Sequence, residues 1–328
     1  MGCHTCCVKE LARATLVRSG KAPRAAASPL VRKVSIPALA RGCPTELAVL
    51  DLALRGTGSF LCETLELSEK QTNKTVQMLD KAYEASRSLH SREPHLSRWI
   101  QRKPCEPGSA GSSACLRSWH TFALGRHLPE ESEQPGFVAA VGDLDAYLAG
   151  VASVLARAVT SALSLSPVDC LADSPSMAML RGLRYPEVVV PISEEGTDMS
   201  ELRLGILPHV DFGDFTLCHS ENGGLEVWER ETHTWQSLPA RQLCFLVGAG
   251  LETKSQKAVR AVKHRVVLST SERFSFCRLH GVSPSQSGSQ LMGRGKPEES
   301  EKHPSRVALG TTQACPKCGH AFLNLSDT

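Results

Sequence analysis

The stretch LPHVDFGDF, residues 207–215, sets His209 two positions before Asp211, followed by an apolar run. An imidazole and a carboxylate at that spacing are either the polar face of a surface turn or two ligands of one metal. Side chains two apart on a strand share a face, so His209 and Asp211 project together with Val210 turned away. In AVKHRVV the same parity groups Val262, His264 and Val266. In ERFSFCRL it groups Arg273 with Ser275 and sends Phe274 and Phe276 the other way. A barrel could aim all five polar side chains inward and pack the phenylalanines against helices. An arginine inside a barrel is costly unless an anion meets it. The pattern therefore asks for a metal and a carboxylate ligand.

Two histidines and one carboxylate on one side of a metal leave adjacent positions open for a chelator and O2, the arrangement of non-haem Fe(II) oxygenases. Zinc is the rival metal, but zinc hydrolases commonly draw both histidines from an HExxH helix, and that pattern is absent. His-x-Asp alone is a weak signal. Its weight comes from the ordered set, with His264 at 53 residues beyond Asp211 and Arg273 nine beyond His264.

Residues 179–279 resemble the C-terminal domain of the Fe(II)/2-oxoglutarate-dependent dioxygenases, in the branch that includes isopenicillin N synthase. The stretches that carry the likeness are LRYP, PHVDFGDFTL, NGGLEVW, LCFLVGAGLE, KHRVV and ERFSF. The resemblance implies a double-stranded β-helix (jelly-roll) barrel, mainly β, with an N-terminal helical cap. It implies His209, Asp211 and His264 as iron ligands, Arg273 and Ser275 at the distal carboxylate of 2-oxoglutarate, and Tyr185 as the co-substrate tyrosine. Leu183 stands where a polar Asn is frequent in the family, and Ala249 where an Asp is usual. The implied activity couples oxidative decarboxylation of 2-oxoglutarate to hydroxylation or desaturation of a small organic substrate, with Fe(II), O2 and ascorbate as a candidate reductant. Two alternatives stay open: an isopenicillin N synthase-like oxidase that does not use 2-oxoglutarate, and a non-catalytic membrane-docked scaffold of the same fold. The retained Arg273 and Ser275 argue against the former.

The elements that must position these residues divide the 328-residue chain into four parts. Residues 1–33 form a basic leader expected to lack fixed structure. Its MGCHTCC start offers Gly2 for myristoylation and Cys3, Cys6 and Cys7 for palmitoylation, and its Arg-rich, acid-poor composition also resembles an organelle transit peptide. The cytoplasm, with or without peripheral membrane attachment, is the expected location. Residues 34–175 read as an α/β cap: a strand at KVSIPAL, a helix and strand through ELAVLDLALRGTGSFLCETL, and an amphipathic helix opened by Ser68 and Gln71 at capping-box spacing. A Gly/Ser/Pro-rich loop at 103–114 and a long core helix in DLDAYLAGVASVLARAVTSALSL complete the cap.

Residues 176–281 alternate as short strands, and 282–328 form a polar tail expected to lack structure until its CPKCGH end. Cys315, Cys318 and His320 there make half a zinc ribbon, and no structural zinc is expected from them. His219, His233 and His280 are expected in turns or at the surface, and GAG at 248–250 as a strand-end turn.

Composition excludes other classes. A net charge of +3 and 5% aromatic residues do not make a nucleic-acid footprint. No window of eighteen unbroken apolar residues suggests a membrane span. Thirteen cysteines without an apolar signal segment favour a reducing compartment, with Cys62, Cys218, Cys244 and Cys277 as small buried hydrophobes. A monomer acting on a small molecule is the expectation. The loops at 90–135 and 186–203, which would set its substrate, carry no legible motif.

Overall fold

The computed structural model describes residues 31–64, 69–91, 101–104, 115–122, 136–166, 171, 178–187, 204–282, 312–314 and 321–324. The acylation and transit signals, Ser68 of the capping box, most of the 103–114 loop and the CPKCGH ligands lie outside these residues. Everything described lies within one unit, Val31–Thr328.

The chain enters on β1 (Lys33–Ser35), which is shorter than the alternation in KVSIPAL suggests. Ser35 ends the strand because its hydroxyl accepts from Ala38 N at 3.3 Å, capping helix α1 (Ile36–Ala40). Pro37 fits that first turn, where its missing N–H has no partner to lose. Helix α2 (Pro44–Arg55) leads into β2 (Ser59–Glu63), and the amphipathic segment forms α3 (Glu69–Ser91). Strands β3 (Gln101–Pro104) and β4 (Cys115–Phe122) precede the long helix α4 (Phe137–Ala162). By length and composition α4 could cross a membrane. Its buried residues nevertheless recur at helical spacing, from Val141, Leu144 and Leu148 to Leu155 and Val159, and it packs on α1, α2, α3 and the main sheet as a core helix.

The remaining strands are β5 (Ala178–Tyr185), β6 (Leu204–Val210), β7 (Phe215–Ser220), β8 (Leu225–Glu229), β9 (Thr234–Ser237), β10 (Leu243–Val247), β11 (His264–Val267) and β12 (Arg273–His280). GAG at 248–250 does end β10, but it also starts a short helix, α5 (Ala249–Lys254), with Gly248 as N-cap. In the tail, β13 (Thr312–Ala314) and β14 (Ala321–Asn324) pair with each other, and β14 pairs with β6. This pairing departs from the expectation of a tail without structure; the apolar run AFLNL has the strand propensity that the polar stretch before it lacks.

Two sheets result. The larger runs β1-β2-β10-β7-β12-β5-β4-β3 and the smaller β13-β14-β6-β11-β8-β9. The N-terminal strands thus join the main sheet, β2 antiparallel to β10. Strand β12 sits inside that sheet between β5 and β7, and its alternation decides what faces what. Phe276 packs on Tyr83 of α3, ring centroids 4.6 Å apart, and Arg278 bonds Asp145 of α4 at 3.1 Å. Phe274 lies beneath Arg87 and near His90. Arg273, Ser275 and Cys277 instead line the cavity between the sheets. Burial of the aromatic face, each side chain worth about 2 kcal/mol, holds the polar face in register.

His219 and His280 are not surface residues. His219 on β7 is buried, and its Nδ1 lies 2.7 Å from the Tyr83 hydroxyl; His280 is buried against Phe215. Both sit inside strands, although their turn-forming neighbours in sequence suggest loops. His233 does occupy a turn, at φ 52°. Cys62, Cys218 and Cys244 are buried free thiols, and Cys277 is partly buried.

Candidate metal and co-substrate site

His209 and His264 are register partners across β6 and β11, with ring centroids 4.2 Å apart. His209 Nδ1 lies 2.8 Å from Leu207 O, and His264 Nδ1 lies 3.0 Å from Val262 O. Only an N–H can bond a carbonyl, so each ring carries a proton on Nδ1 and offers its Nε2 lone pair to the cavity. Burial, reinforced by His209 and opposed by Asp211, pulls the His264 pKa from 6.5 down to about 4. The ring is therefore neutral at neutral pH, the form a metal requires.

Asp211 lies just beyond the end of β6. Its Oδ1 is 3.6 Å from His209 Nε2 and its Oδ2 is 3.8 Å from His264 Nε2. Donor atoms of all three residues fall within 4.8 Å of one another, so a small inward adjustment brings them to the roughly 3 Å separations that bonds of about 2.1 Å impose on adjacent ligands. The set fits a divalent first-row metal: two imidazoles and a carboxylate, all opening on the same cavity. Burial by itself would raise the Asp211 pKa. His264, His209 and the Thr216 hydroxyl outweigh it, and the carboxyl stays well below its usual range.

The loop that carries Asp211 is held by its backbone. Ala249 N donates to Asp211 O at 2.7 Å, Gly250 N to Phe212 O at 3.2 Å, and Gly248 N to Asp214 O at 2.9 Å. Gly248 permits this approach, since a Cβ there would fall 2.1 Å from Gly213 O. Asp214 is buried and takes an ion pair from Lys254 Nζ at 2.8 Å. The Ala249 position, which departs from the family pattern in its side chain, serves here through its N–H.

Deeper in the cavity Arg273 is 2% exposed. Its Nε donates to Gly223 O at 2.8 Å and its Nη1 to Ser275 Oγ at 3.5 Å. Gly224 makes this turn possible: its φ is +98°, and a Cβ would meet Val267 O at 2.5 Å. Tyr185 is the register partner of Arg273, and Leu183 that of Ser275. Burial pushes the Tyr185 pKa up to about 12, against the opposing effect of Arg273, so the phenol is neutral. Arg273, Ser275, Tyr185, His209, Asp211 and His264 all line one cavity. All six residues singled out in the sequence are brought together.

Sequence reasoning missed Thr216, whose hydroxyl donates to Asp211 Oδ2. It also missed the positioning roles of Gly223 and Ala249, both exerted by backbone atoms. Thr216 had one signal: it shares inward parity with Cys218, another cavity residue.

Facing antiparallel sheets with His-x-Asp at the end of one strand and a second histidine beside it make a jelly roll with a candidate metal centre. Residues 179–280 match the 2OG-Fe(II) oxygenase superfamily, whose metal and co-substrate are Fe(II) and 2-oxoglutarate. The chain is 37% identical over 84 residues to the chloroplastic 2-oxoglutarate-dependent dioxygenase 21 of Oryza sativa subsp. japonica, covering 25% of each. It is 29% identical over 137 residues to clavatol oxidase of Penicillium crustosum, covering 40% of this chain and 39% of the relative. The matched segments thus span well under two thirds of these relatives.

Among solved structures, a full-length Neurospora crassa protein in complex with alpha-KG superposes with a TM-score of 0.61 at 14% identity, covering 78% of this chain and 86% of that one. The rice dioxygenase for auxin oxidation gives 0.57 at 16% identity, covering 78% and 84%. At these identities the likeness establishes the fold.

Proposed function

We propose that the whole chain acts as an Fe(II)- and 2-oxoglutarate-dependent dioxygenase on a small organic substrate. His209, Asp211 and His264 hold the iron, and Arg273 with Ser275 and Tyr185 hold the far carboxylate of 2-oxoglutarate. The observation that carries this reading is the joint presence, in one cavity, of the three-donor group and a buried guanidinium. A metal centre alone does not need Arg273, and a co-substrate carboxylate does.

Bound iron supplies the activation of O2: one oxygen atom goes to succinate as 2-oxoglutarate loses CO2, and the other to the substrate. The chain supplies placement. The Nδ1–H bonds to Leu207 and Val262 fix both imidazole tautomers. Thr216 turns the Asp211 carboxylate, and the Gly223 carbonyl sets the plane of the Arg273 fork. Leu225, Leu246 and Val266 exclude water around the reacting groups. Ascorbate as reductant and N-terminal acylation belong to the same proposal.

The test is anaerobic loading with Fe(II), followed by a small-molecule panel scored for succinate. Substrate-dependent succinate from the wild type, abolished in a folded His264→Ala variant, is expected. Turnover that consumes O2 without 2-oxoglutarate would favour the oxidase alternative, and no turnover with any substrate would favour the scaffold.

A further inference from the structure

The main-sheet wall of the cavity presents a second guanidinium. Arg181 and Tyr185 lie on the same inward face of β5, and their register partners on β12 are Cys277 and Arg273. Four residues of strand separate the two positions, about 13 Å. Arg273 and Arg181 therefore stand at different ends of one cavity.

Their surroundings differ. Arg273 is engaged by Gly223, Ser275 and the Tyr185 ring. Arg181 is 8% exposed and among the described residues makes one hydrogen bond, Nη2 to Ser118 Oγ at 3.0 Å. Its Nε is buried without an acceptor, and no carboxylate among the described residues pairs with it. The cavity residues Leu183, Phe212 and Leu279 offer it nothing polar. A cation withdrawn from water without a counter-charge costs several kcal/mol, and a single neutral hydroxyl does not offset that.

Resting on the oxygenase reading, we infer that Arg181 binds the head group of the substrate and that the substrate is an apolar monocarboxylic acid. The carboxylate sits on Arg181, and the carbon to be oxidised extends along the apolar lining toward the three-donor group. A monoanion matches the one unpaired charge. A phosphate monoester would bring more negative charge than this end of the cavity can neutralise.

The test uses Mn(II)-loaded protein, with and without 2-oxoglutarate. It is titrated with benzoate, phenylacetate, cinnamate and octanoate, each beside its primary amide, and with phenyl phosphate. At least one acid should bind the wild type roughly tenfold or more tightly than its amide, the effect of one charge-assisted hydrogen bond. Arg181→Gln should weaken that acid to the level of its amide and change the 2-oxoglutarate Kd by less than about twofold. Arg181→Lys should fall between. Because Arg181 lacks a counter-charge, the metal-free Arg181→Gln protein should melt no lower than wild type.

The inference is overturned if no acid is preferred over its amide, if Arg181→Gln leaves the preference intact, or if phenyl phosphate binds at least as tightly as the acids. It is also overturned if the variant loses 2-oxoglutarate affinity instead, or if it melts well below wild type, which would make Arg181 structural. Failure of the wild type to bind 2-oxoglutarate speaks only against the oxygenase reading, because the acid–amide comparison is also run without it.

Discussion

The guanidinium carbon of Arg273 lies 4.5 Å from the ring centre of Tyr185, its register partner across β12 and β5. The stacking and the Gly223 carbonyl together fix the fork before any ligand arrives. A flexible ammonium cannot be fixed in that way.

Arg273→Ala should therefore raise the 2-oxoglutarate KM by roughly two orders of magnitude, the worth of a bidentate charge-assisted pair. Iron content should stay near wild type, and Arg273→Lys should recover only part of the loss. Co-substrate titration beside metal analysis checks this. Equal loss of metal and co-substrate would place Arg273 in the support of the metal centre instead.

Thr216→Val keeps the size of the side chain and removes the donor to Asp211 Oδ2. Orienting partners of metal ligands are commonly worth about 10- to 100-fold in metal affinity, and a Co(II) titration should show a loss in that range. Without the donor the carboxylate holds protons more readily, so the midpoint of acid-driven metal release should move to higher pH. An unchanged midpoint would remove Thr216 from the site.

The metal-free protein should lose stability on mild acidification. His264 and His219 both have pKa values lowered from 6.5 to about 4, chiefly by burial. Between those limits the unfolded chain binds protons that the folded chain refuses, so stability is full above pH 6.5 and falls as pH drops toward 4. Asp211, held low, extends the loss further down. Thermal melts across this range should show the fall, and it should be shallower in His219→Gln. A flat profile would contradict the burial of these rings.

Gly182→Ala should destabilise the fold by about 1–3 kcal/mol through overpacking. The Trp119 indole lies over this glycine, and a Cβ would come within 2.2 Å of it. Trp119 also packs edge-on against Phe137 at 5.2 Å, which opposes its retreat. Denaturant melts, with tryptophan fluorescence as local reporter, measure the effect.

Much of the site was legible because strand parity is a strict period of two. Once His209, His264 and Arg273 were placed on strands, their facing was settled, along with that of Phe274 and Phe276. Side chains that act through a fold-specific contact were not legible. Thr216 matters because β7 passes Asp211, which neighbours in sequence do not reveal; strand parity did place Arg181 on the face of Tyr185, but not that no acid among the described residues pairs with it. Backbone roles were also hidden, since the N–H of Ala249 or the carbonyl of Gly223 leaves no mark on residue identity. The histidines at 219 and 280 misled for the related reason that a buried imidazole depends on distant packing, here Tyr83 and Phe215. The short strand at Lys33–Ser35 gave way to a helix because the Ser35 hydroxyl caps the turn that begins at Ile36.

The proposed metal centre is mechanically uneven. Its two imidazoles share one ladder rung and separate only if β6 and β11 part, whereas its carboxylate hangs from a loop tied to the start of α5. Release of metal then needs only a local opening of residues 211–214 and 248–250, at a lower free energy than unzipping the sheet. Amide protons of Ala249 and Gly250 should exchange ahead of those on β11, and added metal should slow the former far more than the latter.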